Sequence, residues 1–251
     1  MPLFEFKSLS KRFGRIEAVS GVDVSISECE VVGILGDNGA GKSTMVGMIA
    51  GVYQPDGGEI FVDNRRMTKW DVAIARNAGI ETVFQDRALA DQQSITTNIF
   101  MGREIRTALG FIDVRRQRQE SAALIQQMGL TSRLIDPDTP ILTLSGGERQ
   151  GVSIARALYY SARLVILDEP TTALSLTESE KVFQFIRKLK DEKCSCIFIS
   201  HNIYHSYDIC DRFVVLDRGR VAYQCTKEET TAESLIKDMQ KIARGVTRMS
   251  E

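Results

Sequence analysis

Two glycine-rich motifs and one pair of carboxylates carry the residue types that handle phosphate. The first motif reads Gly36, Asp37, Asn38, Gly39, Ala40, Gly41, Lys42, Ser43, Thr44, and the second Leu144, Ser145, Gly146, Gly147, Glu148. Glycines let the backbone curl so that successive N–H groups converge on an anion, and a following helix adds about half a positive charge. In the first motif Lys42 is placed to reach β- and γ-phosphates. Ser43 can offer its hydroxyl to Mg2+, with Thr44 on the α-phosphate side. The carboxylates, Asp168 and Glu169, close the apolar run Leu164, Val165, Ile166, Leu167. Asp168 suits Mg2+, directly or through water, and Glu169 suits polarising an attacking water. Alone, such a pair reads equally as a solvated turn; its chemistry comes from being paired with Lys42 and Ser43.

The second motif has two readings that coexist. A hydroxyl and two backbone N–H groups at a helix start, from Ser145, Gly146 and Gly147, form an anion site. Ser145 followed three residues later by Glu148 is also capping-box spacing, which orders a helix end. One nucleotide is not easily wrapped by both glycine motifs of a single chain. The second motif is therefore expected to close on ATP held by another copy.

The elements that must position these groups follow from local pattern. Val31, Val32, Gly33, Ile34 and Leu35 make a buried strand ending at Gly36, and a helix starts at Lys42 and stops at Gly51. The N-terminal residues read as a first strand, and 59–63 as another, turning at Asp63 and Asn64. From about residue 87 the apolar positions Ile99, Phe100, Met101, Ala122, Leu124, Ile125, Met128 and Leu130 shift to helical spacing. The basic run Arg115, Arg116, Gln117, Arg118 reads as a solvated helix face. Thr177 and Glu180 have capping-box spacing ahead of Val182, Phe185, Ile186 and Leu189, which repeat as one helical face. Strands over 196–199 and 213–216 follow, and residues 217–220 turn into a last strand. Strands separated by helices imply a largely parallel sheet covered on both faces. The expected division is a core of 1–86 and 161–228, a helical lobe of 87–160 and a polar helical tail of 229–251.

Composition sets bounds. The 251 residues are 43% hydrophobic, enough for one large α/β domain with a sizeable core. Net charge is −1, from 32 basic and 33 acidic residues, which argues against nucleic acid as a partner. No stretch approaches 18 apolar residues, so no span of a bilayer is expected. The five cysteines (Cys29, Cys194, Cys196, Cys210, Cys225) match no zinc or disulfide framework, and Cys194 and Cys196 read as core positions in a reducing compartment.

In order along the chain, the phosphate loop, Gln85, the Leu-Ser-Gly-Gly-Glu signature, Asp168-Glu169 and His201 resemble the ATP-binding cassette (ABC) proteins, over about residues 3–225. The resemblance implies a P-loop α/β core with a mainly parallel sheet, an N-terminal antiparallel β subdomain and an inserted helical subdomain. It implies that Gln85 senses Mg2+ and contacts a membrane partner, that His201 is a switch histidine on the γ-phosphate, and that Phe13 stacks on adenine. The family's loop after the second carboxylate ends in Asp, whereas here it ends in Ser175. The stacking aromatic, commonly Tyr, is Phe13. The strings Thr172-Ala173-Leu174-Ser175, Ser200-His201-Asn202-Ile203 and Gly102-Arg103-Glu104 look most like cassettes of bacterial monosaccharide importers, ribose- and fructose-type.

The implied activity is hydrolysis of ATP with Mg2+ by a homodimer that drives a separate membrane permease, fed by a periplasmic or extracellular solute-binding protein. The implied location is peripheral, on the cytoplasmic face of the cell membrane. Two other readings stand beside it. A soluble ABC ATPase of nucleic-acid repair or translation would carry coiled coils, a zinc site or tandem cassettes, none of which the sequence displays. A plain phosphotransferase would leave Ser145, Gly146 and Gly147 idle.

Overall fold

The computed structural model describes residues 2–83, 89–130, 135–172 and 174–244. In chain order the strands are β1 Phe4–Phe13, β2 Ile16–Ile26, β3 Val31–Leu35, β4 Gly57–Val62, β5 Arg65–Arg66, β6 Ile80–Val83, β7 Leu164–Asp168, β8 Ser195–Ile199, β9 Arg212–Asp217 and β10 Arg220–Thr226. The helices are α1 Lys42–Ile49, α2 Val72–Asn77, α3 Ile95–Phe100, α4 Val114–Met128, α5 Gly146–Tyr159, α6 Leu176–Asp191, α7 Ile203–Ile209 and α8 Ala232–Ala243.

Two sheets form. One is antiparallel, in the order β2-β1-β4-β5; the other runs β10-β9-β3-β8-β7-β6, parallel except where β10 pairs with β9. Strand alternation divides the larger sheet's residues between two cores. Val165, Leu167, Cys196, Phe198, Phe213 and Val215 face one core with α4, α5 and α6. Leu164, Ile166, Ile197, Ile199, Val214 and Leu216 face the other, together with α1 and the inner face of the antiparallel sheet. Parallel strands covered on both sides are buried at every position, as β3 and β8 are; the one polar side chain in them, Ser195, donates to the Ser27 carbonyl at 2.8 Å.

Helix α1 lies between the two sheets, so its apolar residues are not confined to one stripe: Met45, Val46, Met48 and Ile49 are all buried. The Trp70 indole N–H donates to the carbonyls of Met48 at 2.9 Å and Ile49 at 3.1 Å, adding a side-chain donor at the helix end, where Met48 also accepts from Gly51 N–H at 3.1 Å. Arg163 joins the two sheets through paired bonds of 2.9 and 2.5 Å to the Asp63 carboxylate in the turn after β4.

Between β6 and β7 the described chain holds α3, α4, a 3-10 turn at Ile141–Thr143 and α5. Extended pairs interrupt the helical pattern: Arg106 bridges Ile112 across a small hairpin and Ser94 bridges Pro140, with Met101 beyond the end of α3. Arg115, Arg116 and Arg118 are exposed on α4, as their charge requires. One expectation is corrected. The cap of α6 is Ser175 with Glu178, two residues before the expected Thr177 and Glu180, and Glu180 pairs instead with Arg187. Both frames satisfy the Ser/Thr-x-x-Glu spacing, and only the backbone path decides which residue leaves the helix.

Candidate functional site: a phosphate cleft at the strand ends

The parallel strands all end on one edge, and three of those ends carry the chemistry. β3 runs into Gly36, β7 ends at Asp168, and β8 between them leads to His201. Asp168 and His201 line a cleft of ≈ 730 Å3 together with Asp37, Asn38, Gly39, Gly41, Lys42, Ser43, Thr44 and Glu169; Gly36 and Ala40 of the same loop are not part of its lining.

Among the described α-helices, α1 alone starts without a side-chain acceptor on its first turn; the other seven each have one, such as Asp71, Ser94 or Asn202. The uncapped N–H groups face the cleft, where an anion is their natural partner. Gly41 sits at φ 102°, and a Cβ there would lie 2.5 Å from the Ala18 carbonyl oxygen, so the loop can close against β2 only with glycine. Lys42 is buried, its Nζ bound to the carbonyls of Gly36 at 2.7 Å and Asp37 at 3.0 Å. A phosphate would replace these neutral acceptors with a charged one, a stronger bond.

Glu169 holds φ 49°, a left-handed conformation that costs a non-glycine residue about 1 kcal/mol or more. Its N–H donates to the Ile199 carbonyl at 3.0 Å, tying it to β8. Its Oε2 accepts from Thr172 Oγ1 at 2.8 Å and meets His201 Nδ1 at 2.9 Å. With the proton on Nδ1, the ring keeps Nε2 as a second hydrogen-bonding atom. The two adjacent carboxyls are driven apart electrostatically. Burial, then the neighbouring Glu169 charge, raises Asp168, with Lys42 opposing. Burial alone would raise Glu169 too, but bonds from Thr172 and His201 outweigh it and hold its carboxyl below the ordinary value. The surroundings thus favour the ionised form of Glu169 and disfavour that of Asp168.

Residues 16–18 of β2 and the turn residues Arg218 and Gly219 also line the cleft, and sequence reading missed them as site residues. Gly219 donates to the Ala40 carbonyl at 2.9 Å and accepts from Ser20 N–H at 2.7 Å, so the β9–β10 turn is stitched to both walls. Glycine in that turn is the available signal, which local pattern reads as hairpin punctuation alone. Phe13, at the end of β1, is not part of the lining; its half-exposed ring packs edge-on to Tyr53 at 5.3 Å. Ser145, Gly146 and Gly147 also lie outside the cleft. They start α5 with the capping box formed, and Gly146 N–H, left open by the sequence reading, donates to Glu178 at 2.8 Å. Gln85 lies outside the described residues.

Ser43 and Asp168 bring a hydroxyl and a carboxylate to one cleft, a hard-oxygen donor set that fits Mg2+. No helix among the described residues is long and apolar enough to cross a membrane.

The profile of a family described as ABC transporter matches residues 19–172. The chain is 39% identical over 249 residues to the xylose/arabinose import ATP-binding protein XylG of Sulfolobus acidocaldarius, covering 99% of this chain and 98% of that one. It is 35% identical to the ribose import ATP-binding protein RbsA of Caldanaerobacter subterraneus subsp. tengcongensis, covering 95% of this chain but only 47% of RbsA. The chain therefore spans nearly all of XylG and about half the length of RbsA. Its fold matches a nucleotide-free ATP-binding cassette from an ABC transporter with a TM-score of 0.84 over 100% of both chains, at 23% identity. A dimeric bacterial ABC transporter cassette, MJ0796, matches with a TM-score of 0.73 at 27% identity, over 89% of this chain and 98% of that one. The profile match over residues 19–172 and the 39% identity to an import ATP-binding protein across nearly the whole of both chains make the assignment: this chain belongs to the ABC transporter ATP-binding family and is an ATPase of that family.

Proposed function

We propose that the chain is the ATP-hydrolysing subunit of an importer for a monosaccharide, of the pentose or fructose kind. The observation that carries the reading is the uncapped N-terminus of α1, opening with Lys42 into the cleft that Asp168, Glu169 and His201 share. The cargo class follows the names of XylG and RbsA. The reading as a repair or translation ATPase draws no support from these relatives.

In this reading the 36–44 loop and Lys42 bind the β- and γ-phosphates, and Phe13 turns its ring to adenine. Mg2+, held by Ser43 and Asp168, supplies positive charge to the β/γ-phosphates when bound. Glu169 accepts a proton from water as the water oxygen bonds to the γ-phosphorus and the bond to the β–γ bridging oxygen breaks, leaving ADP and phosphate. His201 keeps Glu169 oriented and offers Nε2 to the γ-phosphate. Ser145, Gly146 and Gly147 complete the site of a partner chain, since they lie outside the cleft of their own. Gln85 is assigned to Mg2+ sensing and permease contact.

The permease is assigned to the helical lobe at residues 87–160. Met101, Leu109, Phe111, Ile112 and Val114 are exposed there, in and beside a hairpin held by Thr107 N–H to the Phe111 carbonyl at 2.8 Å. Apolar side chains gathered on one projecting segment suit a protein partner. The chain would then lie peripherally on the cytoplasmic face of the membrane, with a solute-binding protein reaching it only through the permease.

Light scattering of the Glu169→Gln chain tests the reading. It forms dimers only with ATP and Mg2+ if two copies sandwich two nucleotides. A chain that stays monomeric under those conditions sinks the sandwich. Co-purification from membranes identifies the permease.

A further inference from the structure

The starts of α5 and α6 face each other, and one side chain joins them. Gly146 N–H, in the first turn of α5, donates to Glu178 Oε1 at 2.8 Å. The other carboxylate oxygen of Glu178 accepts the backbone N–H of Ser175 at 3.0 Å and its hydroxyl at 2.9 Å. The two turns are in close contact, because a Cβ on Gly147 would sit 3.1 Å from the Glu178 carbonyl oxygen. The rest of the α5 start is also engaged. Ser145 N–H donates to Glu148 at 2.8 Å, and Glu148 N–H to the Ser145 hydroxyl at 3.4 Å. Bonds from the Ser175 backbone and hydroxyl, and then from Gly146 and Gly147, hold the Glu178 carboxyl below its ordinary value. The helix start that a partner's phosphate is to meet therefore already carries an anion belonging to its own chain.

We infer that Glu178 is a placeholder anion: it holds Gly146 N–H while the cassette is open and must release it when the partner chain's nucleotide phosphate arrives. The inference rests on the sandwich reading above and deepens it. A backbone N–H serves one strong acceptor at a time, and two anions crowded on one helix start repel each other. The same carboxylate also holds Ser175, through its other oxygen. Thr172, three residues before Ser175, bonds the Glu169 carboxylate. A permanent buttress, in which Glu178 aims α5 and never lets go, uses the same contacts but has the opposite consequence for closure.

The test is made in the Glu169→Gln chain, whose ATP-dependent dimerisation reports the sandwich by itself. Adding Glu178→Gln puts a neutral acceptor on Gly146 N–H. The placeholder then tightens the ATP-bound dimer about five-fold, the difference between a charged and a neutral hydrogen-bond acceptor. An unchanged or weaker dimer overturns the placeholder while leaving the sandwich intact. Failure of Glu169→Gln alone to dimerise removes the sandwich and the placeholder with it. If Glu178→Gln does not fold, a structure of the Glu169→Gln dimer with ATP decides. Glu178 Oε1 out of hydrogen-bond reach of Gly146 N supports the inference, and a retained bond overturns it.

Discussion

Oε2 of Glu169 lies 2.9 Å from Nδ1 of His201, a contact between residues that follow two adjacent parallel strands. The carboxylate is nearly enclosed while the imidazole is largely exposed, so the pair joins a fixed base to a ring open to solvent. Glu169→Gln should lower ATP hydrolysis by about 10²–10⁴-fold, the usual worth of a positioned general base. His201→Ala should be similarly slow. The double variant should be little slower than either single one, because groups acting as a unit are not additive. Phosphate-release rates of the three proteins check this; a multiplicative double variant separates the two residues.

Gly41→Ala should abolish nucleotide binding and lower stability by about 1–3 kcal/mol through forced left-handed strain. The added Cβ would approach the Ala18 carbonyl oxygen to 2.5 Å, which neither backbone can relieve by a rotamer change. Gly39, with nothing near its Cβ direction, offers the comparison: Gly39→Ala meets φ strain but no clash. Chemical denaturation and ATP titration of both variants measure the difference.

Ser175 caps α6, so Ser175→Ala should cost about 1 kcal/mol. Ser175→Asp should leave stability within about 0.5 kcal/mol of the parent, because Asp caps as well as Ser. It also restores the family's more common residue. An Asp variant as unstable as the Ala variant would mean that the hydroxyl's own bond to Glu178 matters more than the cap.

Burial alone would raise the Glu148 carboxyl, but bonds from Ser145 outweigh it, and bonds from Ser175 outweigh a smaller burial effect at Glu178, so both are held below the ordinary glutamate value of 4.5. A carboxyl with a depressed folded value stabilises the fold above its unfolded value, and that stability is lost as pH falls through the folded value. Stability should therefore fall as pH drops below about 4.5, and Glu148→Gln should flatten that acid limb. Denaturation midpoints between neutral and acid pH provide the measurement.

Phe13→Ala should weaken ATP binding about ten-fold, the worth of one base–aromatic stack, while Phe13→Tyr keeps it. Fluorescent-nucleotide titration of the two variants compares them. Unchanged affinity in Phe13→Ala would move adenine toward the wall of Ile16, Ala18 and Arg218, which already lines the cleft.

Much of the molecule is legible in the sequence. Contiguous motifs such as the 36–44 loop carry strand, turn and helix signals within a dozen residues, and local backbone preferences suffice to read them. The same holds for the apolar strands, whose burial on both faces is written in their uninterrupted hydrophobicity, and for the α6 face of Val182, Phe185, Ile186 and Leu189. Tertiary structure decided what depends on residues distant in sequence. It brought Arg218 and Gly219 to the phosphate loop, because the β9–β10 turn bonds both β2, at Ser20, and the loop, at Ala40, residues far from it in sequence. It chose Ser175 over Thr177 as the cap, because the direction of the chain leaving Glu169 sets where α6 can start. It placed Glu178 on Gly146, thirty-two residues away, because α5 and α6 pack against each other on one face of the sheet. Local sequence specifies which backbone groups need a partner; only the packed chain selects the partner.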